Sequence, residues 1–422
     1  MKLGDIIDIK HGYAFSGEHI IEEDNNIVLV TPGNFKIGGG FQEKKCKFYN
    51  GEIPKEYVLK EGDYIVTMTD LSKTIDTLGY SAIVPKSIIR TYLHNQRIGL
   101  IRFKDNKCDK GYIYWLMRTH GYQKAIANTS TGSTVHHTSP SKIYDYEFDA
   151  PNKAIQHQIA KILSRYDSLI ENYQRQIKLL EEAAQRLYKE WFIDLHFPGH
   201  ESTRIVDNVP EKWKKMALED ICDLSKKVIQ PSQIKEGCPY IGLEHMPRKD
   251  FCLSEWGNSE EINSSKYEYK EDDILFGKIR PYFHKVGFAI NDGYASTDSI
   301  IMQSKPGVWA LLLMTVFSDQ FVNYTSQTCK EGAKMPRADW NQMKKYPVLI
   351  ASDTIQKEFE RQCKLMANKI KANALQIQFL TEARDRLLPK LISGEISVEA
   401  AQSVTSGLGV RKEQTDSPQA SD

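Results

Sequence analysis

The chain repeats itself, and that restricts its architecture more than any other feature. Aligned on itself with a shift of 200 residues and no gap, Ile155, Gln156, Ile170, Gln176, Ile177, Leu180, Glu182, Ala183, Arg186 and Leu187 meet identical residues at 355, 356, 370, 376, 377, 380, 382, 383, 386 and 387. Ten identities across the 38 positions from 155 to 192 stand well above the roughly two expected of unrelated segments. The same shift sets Gly132 on Gly332, Val135 on Met335 and Tyr146 on Tyr346, so the match reaches upstream of those positions. A second correspondence, shifted by 215, sets Leu3-Gly4-Asp5-Ile6 against Leu218-Glu219-Asp220-Ile221. Between these anchors Glu61-Gly62-Asp63-Tyr64-Ile65-Val66 resembles Glu271-Asp272-Asp273-Ile274-Leu275-Phe276, while the intervening stretches do not align. A shared framework carrying different loops is expected.

The repeated segment reads as a long helix. Apolar residues at 155, 159, 162, 166, 169, 173, 177, 180, 184, 187 and 191 step by threes and fours, the period of one helical face. No proline or glycine interrupts Ile155 to Phe192, which predicts a rod of roughly 55–60 Å. The second copy keeps its face through Ile355, Phe359, Cys363, Met366, Ile370, Ile377, Leu380, Leu387 and Leu391; Pro389 is expected to end or kink its last turn. Each rod has one apolar stripe and no other rod of comparable length to bury it. The two are therefore expected to pair as an antiparallel coiled coil, the alternative being that each packs on its own domain. Candidate partner-binding positions on these faces are Ile155, Ile159, Ile162, Tyr166, Ile177, Leu180, Leu187 and Trp191, and then Ile355, Phe359, Ile370, Ile377, Leu380 and Leu387.

With 422 residues the chain is too long for one ordinary core. Short β-branched and aromatic runs such as Ile27-Val28-Leu29-Val30 and Ile98-Gly99-Leu100-Ile101-Arg102-Phe103 alternate with turn residues, and a helix from Lys110 to Ile126 follows. Such a mixture predicts an α+β fold class. The expected layout is two tandem α/β domains, 1–150 and 196–350, with long helices at 151–195 and 351–393 and a pseudo-two-fold internal repeat. The segment 394–422, rich in Ser, Gln and Gly, is expected to be disordered.

Composition narrows the function classes. The longest apolar run, Val308 to Phe317, is far short of the roughly 20 residues a membrane span needs and reads as buried core. Met1-Lys2-Leu3-Gly4-Asp5 lacks a secretory apolar stretch, so a cytoplasmic protein with no membrane partner is expected. The seven cysteines show no C-x-x-C pair, so reduced thiols are expected and no metal site. His136-His137 lacks a nearby cysteine or carboxylate cluster, which favours a ligand-contacting or surface role over a metal. Gly38-Gly39-Gly40 lacks phosphate-loop spacing and reads as a hairpin tip. Net charge is only +1, so affinity for a polyanion would have to come from local clusters. Two exist without an acid among them: Lys86, Arg90, Arg97, Arg102 and Lys104, and Lys278, Arg280, His284 and Lys285.

Taken together, several motifs carry a family resemblance. Gly132-Ser133-Thr134-Val135 and Gly332-Ala333-Lys334-Met335 each precede a helix opened by Ile-Gln, and those helices lead to Leu180-Glu181-Glu182-Ala183 and Phe379-Leu380-Thr381-Glu382-Ala383. Pro210-x-x-Trp213 runs into Leu218-Glu219-Asp220-Ile221, and Gly277-Lys278-Ile279-Arg280-Pro281-Tyr282 and Leu388-Pro389-Lys390-Leu391 follow. Over residues 1 to about 396 the chain resembles the specificity (S) subunit of type I restriction-modification enzymes. The first repeat departs from the second in lacking the Pro-x-x-Trp lead-in.

The resemblance implies a division of labour. One target-recognition domain reads each half of a split, asymmetric double-stranded DNA site, and the helices set the distance between halves. Two methyltransferase (M) subunits dock on the chain, and restriction/motor (R) subunits join for cleavage. No cofactor is implied in this chain: S-adenosylmethionine, ATP and magnesium belong to the partners. Reading duplex DNA needs cations for phosphates and polar groups for base edges, and the unaligned loops are where two domains could differ. Candidate DNA-binding residues are Asn34, Lys36, Ser72, Lys73, Gln96, Arg97, Ser133, Thr134, His136 and His137 in the first domain. In the second they are Lys278, Arg280, His284, Lys285, Lys330, Lys334 and Arg337. No catalytic residue is expected. Alternatives are a specificity subunit for a fused methyltransferase-nuclease partner, a DNA-modifying enzyme in its own right, or a coiled-coil scaffold. The enzyme would need an Asn/Asp-Pro-Pro-aromatic tetrapeptide and a glycine-rich cofactor loop, and neither stands in the sequence.

Overall fold

The computed structural model describes residues 1–44, 46–329 and 335–405. The chain divides into two compact units, Met1–Ser168 with Thr381–Asp422, and Leu169–Leu380. In unit 1 an antiparallel four-stranded sheet runs Ile7–His11, Ile98–Phe103, Tyr64–Thr67 and Ser81–Ile83 in spatial order. A five-stranded sheet runs Ile20–Ile21, Lys47–Tyr49, Ile27–Val30, Thr91–His94 and Val58–Leu59, with a parallel pair at its centre. Val28 and Val30 from the second sheet share one buried cluster with Ile65, Ala82 and Ile98 from the first, so each sheet seals the other's apolar face. Three short helices follow: α1 (Lys110–Leu116), α2 (His120–Asn128) and α3 (Pro140–Tyr144). The single helix expected over 110–126 is thus two. The Thr119 hydroxyl accepts from Tyr122 N at 3.3 Å and starts a new helix there.

Unit 2 repeats this order. Its first sheet runs Cys222–Ser225, Ser299–Ser304, Ile274–Gly277, Val286–Ala289 and Cys252–Leu253, and its second runs Val228–Ile229, Lys266–Tyr269, Gly293–Ala295, Pro239–Ile241 and Gly257–Asn258. Ile241, Tyr269 and Ala295 of the second pack with Leu275, Ala289 and Ile301 of the first. Later helices are α5 (Trp309–Phe317), α6 (Asp319–Gln327) and α7 (Trp340–Met343). Every residue of α5 is buried, so the longest apolar run is core, as expected. No helix among the described residues is long and apolar enough to cross a membrane.

The two long helices are α4 (Lys153–Tyr188) and α8 (Asp353–Ser393). The α-helical part of the first is shorter than its apolar period suggested, because a wider turn, Lys189–Ile193, takes over. Within unit 2 the helices run antiparallel: Asn373 Nδ2 donates to Gln176 Oε1 at 3.2 Å, whereas further along α4 the ring of Phe192 meets that of Phe359, earlier in α8, at 4.8 Å. Within unit 1, Arg384 of α8 pairs with Asp167 of α4 at 2.5 Å. Pro389 does not end α8; Leu388 and Leu391 are buried around it and hold the final turn, and Gly394 (φ +76°) closes the helix. The segment expected to be disordered from 394 is corrected over α9 (Val398–Thr405), where Val398 and Ala401 are buried. Residues 406–422 lie outside the described residues.

The repeated Ile-Gln has a structural reason. Gln156 is buried, accepts from Asp109 N at 2.9 Å and donates to Pro151 O at 2.8 Å. Asp109 in turn caps α1 through Tyr112 N at 3.0 Å. Gln356 is likewise buried and reaches Gly307 O at 3.3 Å, on the loop before α5. In each unit the start of a long helix ties down the loop that launches the preceding helical pair.

Candidate nucleic-acid interface

In unit 1 the strand Tyr64–Thr67 runs into Met68, whose N–H donates to Arg97 O at 2.9 Å and whose carbonyl accepts from Thr138 N at 3.0 Å. One residue further, Thr69–Asp70 pairs with His136–His137, and Thr69 Oγ1 meets His137 Nδ1 at 3.2 Å. Three chain segments thus meet, and they carry Ser72, Lys73, Gln96, Arg97, Ser133, Thr134, His136 and His137. Of these, Lys73, Gln96, Ser133, Thr134 and His137 are exposed, and Ser72, Arg97 and His136 are half-buried. Sequence reasoning placed them separately; the fold brings them to one junction.

Asp70 organises the loop between them. Its carboxylate is buried and accepts from Ser72 N (2.6 Å), Thr77 N (2.6 Å), Thr77 Oγ1 (2.8 Å) and Leu78 N (3.0 Å). Burial pushes its pKa up, but these donors outweigh burial and hold the group below its usual value. Ile75 in this loop has φ +56°, with its carbonyl held by Gln123 Nε2 at 2.7 Å. A β-branched residue in the left-handed region costs about 1–3 kcal/mol, and such strain concentrates at functional loops.

Unit 2 builds the same junction from different side chains. Lys278 N donates to Asp298 O at 2.7 Å and Lys278 O accepts from Ala338 N at 2.8 Å. These bonds repeat the Met68–Arg97 and Met68–Thr138 pairs one for one. Arg280 N donates to Pro336 O at 2.8 Å, and Arg337 Nη1 pairs with Asp298 Oδ1 at 2.9 Å. The loop beyond is strained at both ends, Arg280 with φ +50° and His284 with φ +53°. Phe283 packs beneath it, 4.0 Å from the Arg248 guanidinium and 5.7 Å from that of Arg280.

Several sequence candidates do not reach outward. Asn34 is fully buried: its Oδ1 accepts from Thr31 N at 2.9 Å and its Nδ2 donates to Gln42 O at 3.2 Å, closing its own turn. Lys36 is half-buried on that turn, where its N–H donates to Gly40 O at 3.0 Å. His284 is 4% exposed, with Nδ1 3.3 Å from Asp319 Oδ1 and its ring 4.6 Å from Phe317; burial pushes its pKa down. Lys278 Nζ donates to Thr297 O at 2.7 Å and Lys285 Nζ to Leu243 O, and burial lowers the pKa of both. These groups support the loops. Lys330 and Lys334 lie outside the described residues. The helix-face candidates are taken up by the chain's own packing: Ile159, Ile162, Tyr166, Trp191, Phe359, Ile370 and Leu380 are buried, Ile177, Leu180, Leu187, Ile355, Ile377 and Leu387 are half-buried, and Ile155 is exposed.

Among the described residues no group of three or more His, Cys, Asp or Glu stands together as a metal site. Cys108, Cys222, Cys252 and Cys363 are buried free thiols, and Cys46, Cys238 and Cys329 are half-buried. Two buried charges escaped sequence reading. Arg118, whose side chain is 2% exposed, donates to Gly38 O (3.0 Å), Tyr114 Oη (2.7 Å) and Asp167 Oδ2 (2.7 Å). Glu181 on α4 accepts from Phe251 N at 3.0 Å and Cys252 N at 3.1 Å. The repeat itself held a signal for the first: the 200-residue shift sets Arg118, Asp167 and the residue it meets, Arg384, on Ser318, Ala367 and Ala184. One unit carries a charged cluster where the other carries small residues.

Comparison with known proteins agrees with this geometry. The fold is that of a type I restriction-modification S subunit: the crystal structure of the one from M. genitalium superposes with a TM-score of 0.56 at 17% identity, covering 93% of this chain and 95% of that one. A family model described as the type I restriction modification DNA specificity domain matches residues 1–182. The MjaIX specificity subunit of Methanocaldococcus jannaschii is 27% identical over 340 residues, 76% of each chain. The EcoDI specificity subunit of Escherichia coli is 24% identical over 338 residues, 68% of this chain and 74% of its own. The chain is thus similar to the type I restriction enzyme specificity subunits, and over residues 1–182 it matches the model of their DNA specificity domain.

Proposed function

We propose that this chain is the non-catalytic subunit that gives a type I restriction-modification complex its DNA sequence specificity. Its two target-recognition domains, 1–150 and 196–350, each read one half of a split, asymmetric duplex site. The helical segments 151–195 and 351–393 pair as an antiparallel coiled coil that sets the gap between the halves. The chain docks two methyltransferase subunits and, for cleavage, restriction subunits; S-adenosylmethionine, ATP and magnesium act there. The observation that carries this reading is the repeated junction. Met68 and Lys278 make the same backbone bonds, while the side chains around them, Arg97 and His137 against Asp298 and Arg337, differ. One framework presenting two unlike sets of polar groups suits the reading of two unlike half-sites.

The test is methylation mapping of host DNA with the gene intact and deleted. A split motif methylated only when the gene is intact is the expected result. Unchanged methylation across the genome would overturn the function.

A further inference from the structure

We infer that Tyr282 is a stacking wedge, inserting its ring against a nucleobase of the half-site read by unit 2. The inference rests on the DNA-reading function proposed above. Tyr282 stands in the Arg280–His284 loop with 55% of its surface exposed. The loop that presents it is rigidly built. Phe283 N donates to Arg280 O at 2.8 Å and His284 N to Pro281 O at 2.9 Å, while Arg280 N is held by Pro336 O. Lys249 N donates to His284 O at 3.2 Å, and the buried His284 ring lies on Phe317. Phe283 meets Tyr282 edge to face at 5.0 Å and is itself covered by Arg248. The backbone that carries the exposed ring is therefore preorganised, and little loop freedom remains to be lost on binding.

Its surroundings match a nucleic acid. Arg248 and Arg280 flank Phe283, and neither has an acidic partner among the described residues. Two open guanidinium groups beside an exposed ring set positive charge next to a stacking surface. The corresponding loop of unit 1, Leu71 to Thr77, contains no aromatic residue. The wedge is thus asymmetric: one half-site is distorted by a ring and the other is read without one.

The full-length chain, purified with its methyltransferase partner, is bound to a duplex carrying the split motif mapped from host methylation and to a scrambled duplex. 2-Aminopurine is placed in turn at each step of both half-sites. In the wild type one step of one half-site should change its emission, with no such change in the other half. Tyr282→Ala should abolish that change and weaken motif binding roughly 5- to 150-fold, leaving the scrambled duplex as before; Tyr282→Phe should keep both signals. Unchanged emission and affinity in Tyr282→Ala, or equal weakening on both duplexes, would overturn the wedge while leaving the DNA-reading function standing. A wild type that holds the two duplexes equally would overturn that function and the wedge with it.

Discussion

Asp167 of α4 meets Arg118, at the end of α1, at 2.7 Å, and its other carboxylate oxygen meets Arg384 of α8 at 2.5 Å. One carboxylate thus joins the recognition domain of unit 1 to both long helices. Arg118 also donates to the carbonyl of Gly38 at 3.0 Å, and a Cβ on Gly39 would lie 2.6 Å from the Arg118 side chain. The glycine run read as a hairpin tip is the place where backbone must approach a buried guanidinium, and its positive φ values suit glycine.

Asp167→Ala should cost about 3–5 kcal/mol, because it strands the buried Arg118 charge. Arg384→Ala should cost less, since Asp167 keeps Arg118. Burial alone would raise the Asp167 pKa, but Arg118 and Arg384 outweigh it and lower the pKa from 3.8. A depressed carboxyl contributes stability above its unfolded pKa and loses it as pH falls through the folded one. Urea unfolding of wild type and Asp167→Ala should therefore converge toward low pH. A difference that stays constant with pH would count against this account.

Glu181 behaves in the opposite sense. Burial and the charge of Asp250 push its pKa up to about 8, against the pull of two backbone donors. The folded state then holds a proton that the unfolded state releases, so this group weakens stability as pH rises from about 4.5 toward 8. Glu181→Gln keeps the acceptor and removes the titration. It should match wild type near pH 4 and exceed it by roughly 2–4 kcal/mol above pH 8. Melting curves across that range check it.

The two repeated glutamines should not be equal. Gln156 makes bonds of 2.9 and 2.8 Å and Gln356 one of 3.3 Å. Gln156→Ala should cost about 1 kcal/mol by leaving two part-buried backbone groups without their partner, and Gln356→Ala less. Paired denaturation measurements decide the order.

Arg97→Ala and Arg280→Ala should each relax the reading of a different half-site, with a lost base contact contributing ~1–3 kcal/mol. Methylation of duplexes mutated in one half at a time gives the readout. Loss of binding on every duplex alike would make the residue a phosphate contact.

Deleting seven residues from each long helix, 173–179 and 371–377, keeps the apolar faces in phase and shortens the pair by roughly 10 Å. The tolerated gap between half-sites should fall by about three base pairs. The bases read should not change, and an unaltered gap would refute the spacing role.

The framework was legible because its signals are local. Apolar spacing along α4 and α8, the Ile-Gln openings and the paired strand runs depend on near neighbours in the chain. The candidate interface was legible only in part. Arg97, Lys73 and His137 were named from type and loop position, and the Met68 backbone joins their segments. Asn34 and His284 were misjudged because nothing adjacent in sequence reports that Gln42 and Phe317 enclose them. Tyr282 entered the sequence reading only as part of the Gly277–Tyr282 motif; the turned backbone at Arg280 and His284 is what lifts it out.

By itself the sequence determined that there are two copies of one framework, each with a long amphipathic helix, since periodicity and self-similarity are properties of the chain read in order. Which polar groups became struts and which stayed free was decided by the tertiary structure. Burial is set by residues brought together from distant positions, as with Arg118 and Asp167 or Glu181 and Phe251. Desolvation makes a buried charge tolerable only where such partners are already in place.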